Sequence, residues 1–316
     1  MGITKTKVAI IGAGFVGAST AFAMALQQNA SEIVIIDVNK EKALGEALDI
    51  NHGLCFVGQM LVYAGDYSDI KDCDVIIISA GMGRKPGETR LDLAKKNLVV
   101  AKDITDNIMK YYTRGAILVV ANPVDILTYK IQKWSGLPNG RVFGSGTVLD
   151  SARLRFSLAE KFNVDIRNVH GYVVGEHGDS QIPLWSSTHI AGMNVEEYGN
   201  LHHNTFTDAD REKIKEEIKK AGATIIKNKG ATYYAVSIAV NSIVETLLKN
   251  QNTIRTVSSV VDGIYGISDV AISLPSIINS YGVEEIIPFP ITPEEEKLLR
   301  ASADAVKAIL NEVKDI

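Results

Sequence analysis

Val8-Ala9-Ile10-Ile11-Gly12-Ala13-Gly14-Phe15-Val16-Gly17 runs from a short β-branched stretch through three spaced glycines into a helical pattern. The expected strand–turn–helix has a distinct use for each glycine. Gly12 permits the tight turn, Gly14 lets the backbone approach a pyrophosphate, and Gly17 lets helix pack on strand. Phosphates would sit at the helix N-terminus, where free N–H groups and the dipole favour anions. Spaced glycines also mark ordinary turns, so a second feature is needed. Asp37 closes the next apolar run, twenty residues after Gly17. A carboxylate there can accept both ribose hydroxyls and repels a 2′-phosphate, which implies NAD and not NADP. The alternative is that Asp37 only caps the helix after it.

Outward from this turn, apolar runs alternate with helical periodicity, the pattern of a parallel sheet covered by helices. Strands are expected at Val8–Gly12, Glu32–Asp37, Leu61–Tyr63, Asp74–Ser79, Ala116–Ala121 and Val142–Phe143. Helices are expected at Gly14–Gln28, Lys40–His52, Leu91–Tyr112 and Val124–Trp134. The pattern then changes to a helix at Leu149–Phe162, a strand at Val169–Val174, and helices across Asp208–Asn228 and Ala231–Leu248. A strand meander from Ile254 to Ile287 and a helix from Pro293 follow. The fold class is α/β: a doubly wound parallel (Rossmann) sheet over residues 1–145, with a second α+β, substrate-binding and catalytic domain over residues 146–316.

The 316 residues, 46% hydrophobic and 22% charged, suit two folded domains and exclude disorder or a coiled coil. A net charge of −4 gives no electrostatic basis for nucleic acid or an anionic membrane as partner. No apolar run approaches the roughly 18 residues of a transmembrane helix, and no signal peptide is evident, so a cytoplasmic protein is expected. Met1-Gly2 opens a loose myristoylation pattern, which we ascribe to chance. Cys55 and Cys73 form no Cys-x-x-Cys pair and no cluster with His, so we expect reduced thiols and no metal.

Chemistry points to Gly175-Glu176-His177-Gly178-Asp179, a glycine-flanked histidine after a buried strand. Asp150 and Arg153, three apart at a helix start, share one face. An Asp holding one imidazole nitrogen fixes the tautomer and favours the imidazolium. Arg153 offers a planar fork suited to a carboxylate. Between a strand and a long helix, Gly81-Met82-Gly83-Arg84-Lys85-Pro86-Gly87-Glu88-Thr89-Arg90 reads either as a basic lid over an anion or as a solvated loop.

Together these residues resemble the lactate/malate dehydrogenase family over nearly the whole chain. The resemblance rests on the glycine motif, Asp37, Ser79-Ala-Gly, the lid ending Pro86-Gly-Glu-Thr-Arg90-Leu-Asp-Leu, Asn122-Pro-Val-Asp125, Gly146-Thr-Val-Leu-Asp150-Ser-Ala-Arg153 and Gly175-Glu-His177-Gly-Asp. It implies an NAD-dependent L-2-hydroxy-acid dehydrogenase. His177 is then the acid/base, Asp150 its orienting partner, and Arg153 the clamp on the substrate carboxylate. Arg90 arrives with the lid to polarise the carbonyl. Asn122 contacts carbonyl and nicotinamide, and Thr232 lines the substrate site. Val16, Lys42, Tyr67, Gly81, Met82, Val120 and Ser145 match cofactor-contact positions.

Most motifs are similar to the lactate branch, but Arg84 stands where lactate enzymes usually carry glutamine and malate enzymes arginine. L-malate/oxaloacetate is therefore the expected pair and L-lactate/pyruvate the alternative. Arg155 and His170 match residues through which some bacterial lactate enzymes sense fructose 1,6-bisphosphate; ordinary subunit salt bridges are the other explanation. The resemblance implies a homotetramer. Two rival classes are an NAD-dependent glycosidase with a manganese site and a non-catalytic NAD-binding protein. The first lacks a cysteine near the expected site, and the second would not need His177, Asp150, Arg153 and Arg90.

Overall fold

The computed structural model describes residues 5–83 and 87–316, with the side chain of Arg90 not among them. Along the first half run β1 (Lys7–Ile11), α1 (Phe15–Gln27), β2 (Glu32–Ile36), α2 (Lys40–Gly53), β3 (Leu61–Ala64), β4 (Val75–Ile78), α3 (Arg90–Tyr111), β5 (Ala116–Val119), α4 (Val124–Ser135) and β6 (Val142–Gly144). The strands lie in the order β3-β2-β1-β4-β5-β6 and every neighbouring pair is parallel. Val75-Ile76-Ile77-Ile78 is buried at every position, because helices cover both faces. The strand order reverses between β1 and β4, and the crevice at such a switch point is where an open α/β sheet binds ligand.

The second half contains α5 (Val148–Phe162), β7 (Val169–His170), β8 (Val173–Val174), β9 (Ile182–Pro183), β10 (His189–Ile190), β11 (Met193–Asn194), α6 (Val195–Leu201), α7 (Asp208–Lys229), α8 (Tyr234–Leu248), β12 (Thr253–Asp262), β13 (Ser268–Asn279), β14 (Gly282–Ile286) and α9 (Pro293–Glu312). The expected meander is present, but it extends the first sheet instead of forming one of its own. β12 pairs antiparallel with β6 through Ser258 and Gly144, giving nine strands in the order β14-β13-β12-β6-β5-β4-β1-β2-β3. The pairing covers the edge that β6 would otherwise expose.

Two helices of the second half also pack on the shared sheet. Val240, Ile243, Val244 and Leu247 of α8 join one core layer with Met24 of α1 and Ala47 of α2. Leu299, Ala303, Val306 and Leu310 of α9 join the opposite layer with Leu98 of α3 and Ile131 of α4. A third core holds Leu154, Leu158 and Phe162 of α5 against Ile214 and Ile218 of α7.

Two local expectations need correction. Val169–Val174 is two strands, because β7 pairs with β10 and β8 with β9. Between them the chain passes so close to its neighbours that a Cβ on Gly171 would lie 3.0 Å from Thr188 Oγ1. Helix α8 begins at Tyr234 and not Ala231: Gly230, at φ +88°, ends α7, and Tyr233 has non-helical angles. Among the described residues no helix is long and apolar enough to cross a membrane.

Candidate active site

At the switch point, Gly12 has φ +109°, and a Cβ there would sit 2.6 Å from the Ala80 nitrogen. On Gly17 a Cβ would run into the Gly12 carbonyl. The Ser79 hydroxyl donates to the carbonyls of Ile11 and Gly12, both at 3.1 Å, and fastens β4 to the turn. Gly14 differs: a Cβ there would meet no atom within 4 Å. It caps α1 with no side-chain hydrogen bond, so the helix N-terminus keeps an open approach. These features fit a dinucleotide pyrophosphate against the backbone.

Asp37 turns towards the glycines. Its carboxylate accepts the Ala13 N–H at 2.6 Å and the Asn39 N–H at 2.8 Å. Asn39, not Asp37, caps α2 by accepting the Lys42 N–H at 3.0 Å. The capping alternative for Asp37 is thereby removed. Lys42 is exposed on α2. Burial, with the charges of Asp103 and Asp37 nearby, pushes the Tyr67 phenol up to about 12. Asn97 of α3, which the sequence reading missed, joins two cofactor-side segments. It accepts the Met82 N–H at 2.8 Å and donates to the Asn122 carbonyl at 2.6 Å. Gly81 lies against Ala121 beside it. Val16 receives the Ser237 hydroxyl of α8 on its carbonyl at 3.2 Å.

Val120, Asn122 and Ser145 line one narrow cleft together with Val148, Val236, Ala239 and His177. Asp150, in the first turn of α5, is 1% exposed. Its Oδ2 lies 2.5 Å from His177 Nδ1, and its Oδ1 accepts from Arg153 Nη1 at 2.8 Å. Burial opposes the imidazolium, but the Asp150 charge and hydrogen bond raise the His177 pKa above its ordinary value. Burial likewise opposes Asp150 ionisation, yet His177 and Arg153 hold its carboxyl below the usual range. The pair is thus arranged to keep a protonated imidazole beside a carboxylate.

Long-range bonds hold the histidine loop. Gly175, at φ +87°, exchanges N–H···O bonds of 2.9 Å with Ser273 of β13. The Glu176 N–H donates to Ser302 of α9 at 2.9 Å. The His177 N–H donates to Asp125 Oδ2 at 2.8 Å, and Ser258 of β12 donates to Asp125 Oδ1 at 2.6 Å. Ser273, Ser302, Asp125 and Ser258 were not anticipated as site residues.

Thr232 lies half-buried in the turn between α7 and α8. Arg84 and two other residues of the expected lid, Lys85 and Pro86, fall outside the described residues, as does the Arg90 side chain. Arg155 and His170 do come together, in a separate cavity of about 270 Å³ that also contains Arg255. Burial lowers the pKa of both arginines, and Arg155 lowers that of Arg255 further. Among the described residues no group of three His, Cys, Asp or Glu is placed to hold a metal ion. Cys55 and Cys73 are free thiols, the second pushed up to about 12 by burial.

Residues 6–144 match the model of the lactate/malate dehydrogenase NAD-binding domain, and residues 147–316 match that of the α/β C-terminal domain of the same enzymes. The chain belongs to the lactate/malate dehydrogenase family. An L-lactate dehydrogenase of Thermoanaerobacter sp. (strain X514) is 50% identical over 307 residues, 97% of this chain and 99% of the relative. L-lactate dehydrogenase 1 of Clostridium acetobutylicum is 50% identical over 309 residues, 98% and 99% of the two chains. Among solved structures, an L-lactate dehydrogenase from Clostridium thermocellum is 65% identical with TM-score 0.88, covering 98% of this chain and 100% of its own. A minor L-lactate dehydrogenase from Enterococcus mundtii is 42% identical with TM-score 0.95, covering 98% and 99%.

This member of the family is an NAD-dependent oxidoreductase that acts on the CH–OH group of a 2-hydroxy acid. The glycosidase and non-catalytic alternatives fall away. The relatives favour lactate over malate, so the expectation of a malate enzyme, which rested on Arg84, finds no support in them.

Proposed function

We propose that the enzyme interconverts pyruvate and L-lactate, with residues 1–145 holding NAD and residues 146–316 the substrate. The observation that carries the choice of substrate is the L-lactate dehydrogenase identity of relatives matching 97–98% of the chain. The apolar side chains of Val120, Val148 and Val236 around His177 suit a substrate ending in a methyl group.

In the reductive direction Arg153 binds the substrate carboxylate through guanidinium N–H groups not used on Asp150. His177, protonated and held through Nδ1 by Asp150, donates its Nε2 proton to the carbonyl oxygen. Arg90 polarises that carbonyl, and Asn122 and Thr232 position substrate. Gly12, Gly14, Val16, Gly17, Asp37, Lys42, Tyr67, Gly81, Met82, Val120, Asn122 and Ser145 form the cofactor side. NADH bound there supplies the hydride. In lactate oxidation His177 starts neutral and takes the hydroxyl proton.

Arg84 supports a second reading, oxaloacetate/L-malate, because a guanidinium at that lid position can pair with a second carboxylate. The deciding experiment compares kcat/KM for pyruvate and oxaloacetate in the wild type and in Arg84→Gln. A wild-type preference for pyruvate is expected. A preference for oxaloacetate that Arg84→Gln reverses would replace the lactate assignment.

Fructose 1,6-bisphosphate is a candidate effector at Arg155, His170 and Arg255, where two arginines and a histidine line one cavity. Superimposable pyruvate saturation curves with and without it would discard that role. Exposed Phe22 and Leu26 of α1, Leu44 and Leu48 of α2 and Ile238 of α8 support assembly into a homo-oligomer, a tetramer by family, which light scattering measures. A cytoplasmic enzyme with reduced thiols is consistent with both cysteines being free.

A further inference from the structure

We propose that Asp125 is a second positioning carboxylate for the acid–base histidine: it fixes the His177 main chain, and its buried negative charge favours the protonated imidazole alongside Asp150. The inference deepens the reading of His177 as acid–base group and rests on it.

Three observations converge on Asp125. It sits in the first turn of α4, three residues after Asn122, and is 3% exposed. Both carboxylate oxygens are engaged by different parts of the chain, Oδ2 by the His177 N–H at 2.8 Å and Oδ1 by the Ser258 hydroxyl at 2.6 Å. One side chain therefore ties α4, the histidine loop and β12 together. Neither donor is a cation, so the charge of Asp125 is not met by a hydrogen-bonded ion pair among the described residues, and the nearby His177 imidazolium is the cation that favours it. An asparagine could accept the same His177 N–H without the cost of burying a charge.

Burial raises the Asp125 pKa to about 6, although Ser258, the His177 N–H and the His177 charge all oppose the shift and Glu176 adds to it. The charged groups that bear on His177 are Asp150 and Arg153 from α5 and Asp125 from α4. Asp150 and Asp125 favour the imidazolium, and Arg153 disfavours it. Asp125 is thus the one of these that acts on the ring's proton without bonding to the ring or to Arg153. Above pH 6 it is ionised and strengthens the imidazolium; below pH 6 that support is withdrawn.

The test is Asp125→Asn, which keeps an oxygen for the His177 N–H, turns an amide N–H2 towards the Ser258 hydroxyl, which can accept from it, and removes the charge. The pH profile of kcat/KM for pyruvate reduction falls on its alkaline side as His177 loses its proton. The profile for lactate oxidation rises on its acid side for the same reason. Both limbs are expected to move to lower pH, together, by about half a unit to one unit, with NADH titration unchanged. A merely structural role would lower both plateaus and leave the limbs in place, and that result would overturn the proposal. A measurement on the wild type serves if the variant does not fold. The His177 ring resonance, assigned by its loss in His177→Asn, should show a minor step near pH 6 besides its own titration; a single step overturns the proposal. If His177→Asn turned over normally, the acid–base reading itself would fall, which separates the two failures.

Discussion

The glycine turn and the histidine loop are built differently. Gly12–Gly17 and Asp37 are held by hydrogen bonds between side chain and backbone of adjacent strands: Ala13 N–H to the Asp37 carboxylate, and the Ser79 hydroxyl to the Ile11 and Gly12 carbonyls. The histidine loop is bonded directly by α4, α5, α9 and β13, through partners 27 to 126 residues away in sequence, and β12 acts on it through Asp125. A dinucleotide turn needs conformations that glycine alone supplies, so local sequence encodes it. A proton-transfer group needs a tuned environment, and only tertiary structure assembles that.

If the two regions divide the labour, substitutions at the loop should change turnover and leave cofactor affinity alone. His177→Asn has the largest expected effect, a loss in kcat of about 10²–10⁴-fold with an unaltered NADH titration. A parallel loss of NADH binding would show that the regions are not separable. Asp37→Asn tests the other side. Removing the carboxylate should weaken the preference for NADH over NADPH by about 10²-fold, since a like-charge clash is worth several kcal/mol when partly desolvated, and kcat with saturating NADH should stay close to wild type. Unchanged cofactor preference would reassign Asp37 to the turn alone.

Arg153→Lys sharpens the comparison within the loop region. A point charge replaces a planar fork, so KM for pyruvate should rise about tenfold or more, without change in cofactor preference. The smallest effect is thermodynamic. The Asp125 pKa lies near 6 in the fold against an ordinary 3.8, so the native state binds this proton more tightly than the unfolded chain. Stability from that proton is complete below pH 3.8 and is lost as pH rises through 6, by up to about 3 kcal/mol. Melting curves of Asp125→Asn should lack this component of the fall between pH 4 and pH 6.5. Identical pH dependence in the two proteins would mean Asp125 is already ionised at the lower pH.

The strands of the first half were legible because apolar runs buried on both faces leave an unmistakable pattern. Asp150, His177 and Arg153 were legible from spacing and flanking glycines, and they do meet. Asp125 was quoted within a motif yet given no role, because an aspartate in the first turn of a helix has an innocuous explanation in the helix dipole. Only the bonds to His177 and Ser258, 52 and 133 residues away, distinguish it. The joining of β12 to β6 was equally invisible, because an antiparallel meander reads the same whether it stands alone or extends another sheet. Arg255 gave no signal until it lay beside Arg155.

The continuity of the nine-stranded sheet also bears on how the chain is made. When residues 1–144 have left the ribosome, the outer edge of β6 still awaits β12, and the layer over α1 and α2 still awaits α8. The opposite layer awaits α9, which begins at Pro293. The nucleotide-binding half therefore emerges first but finishes last, with apolar surface and an unpaired strand edge exposed through most of synthesis. Nascent chains halted near residue 200 should be captured by chaperones and cut by protease within the first half, whereas chains carried past residue 312 should resist.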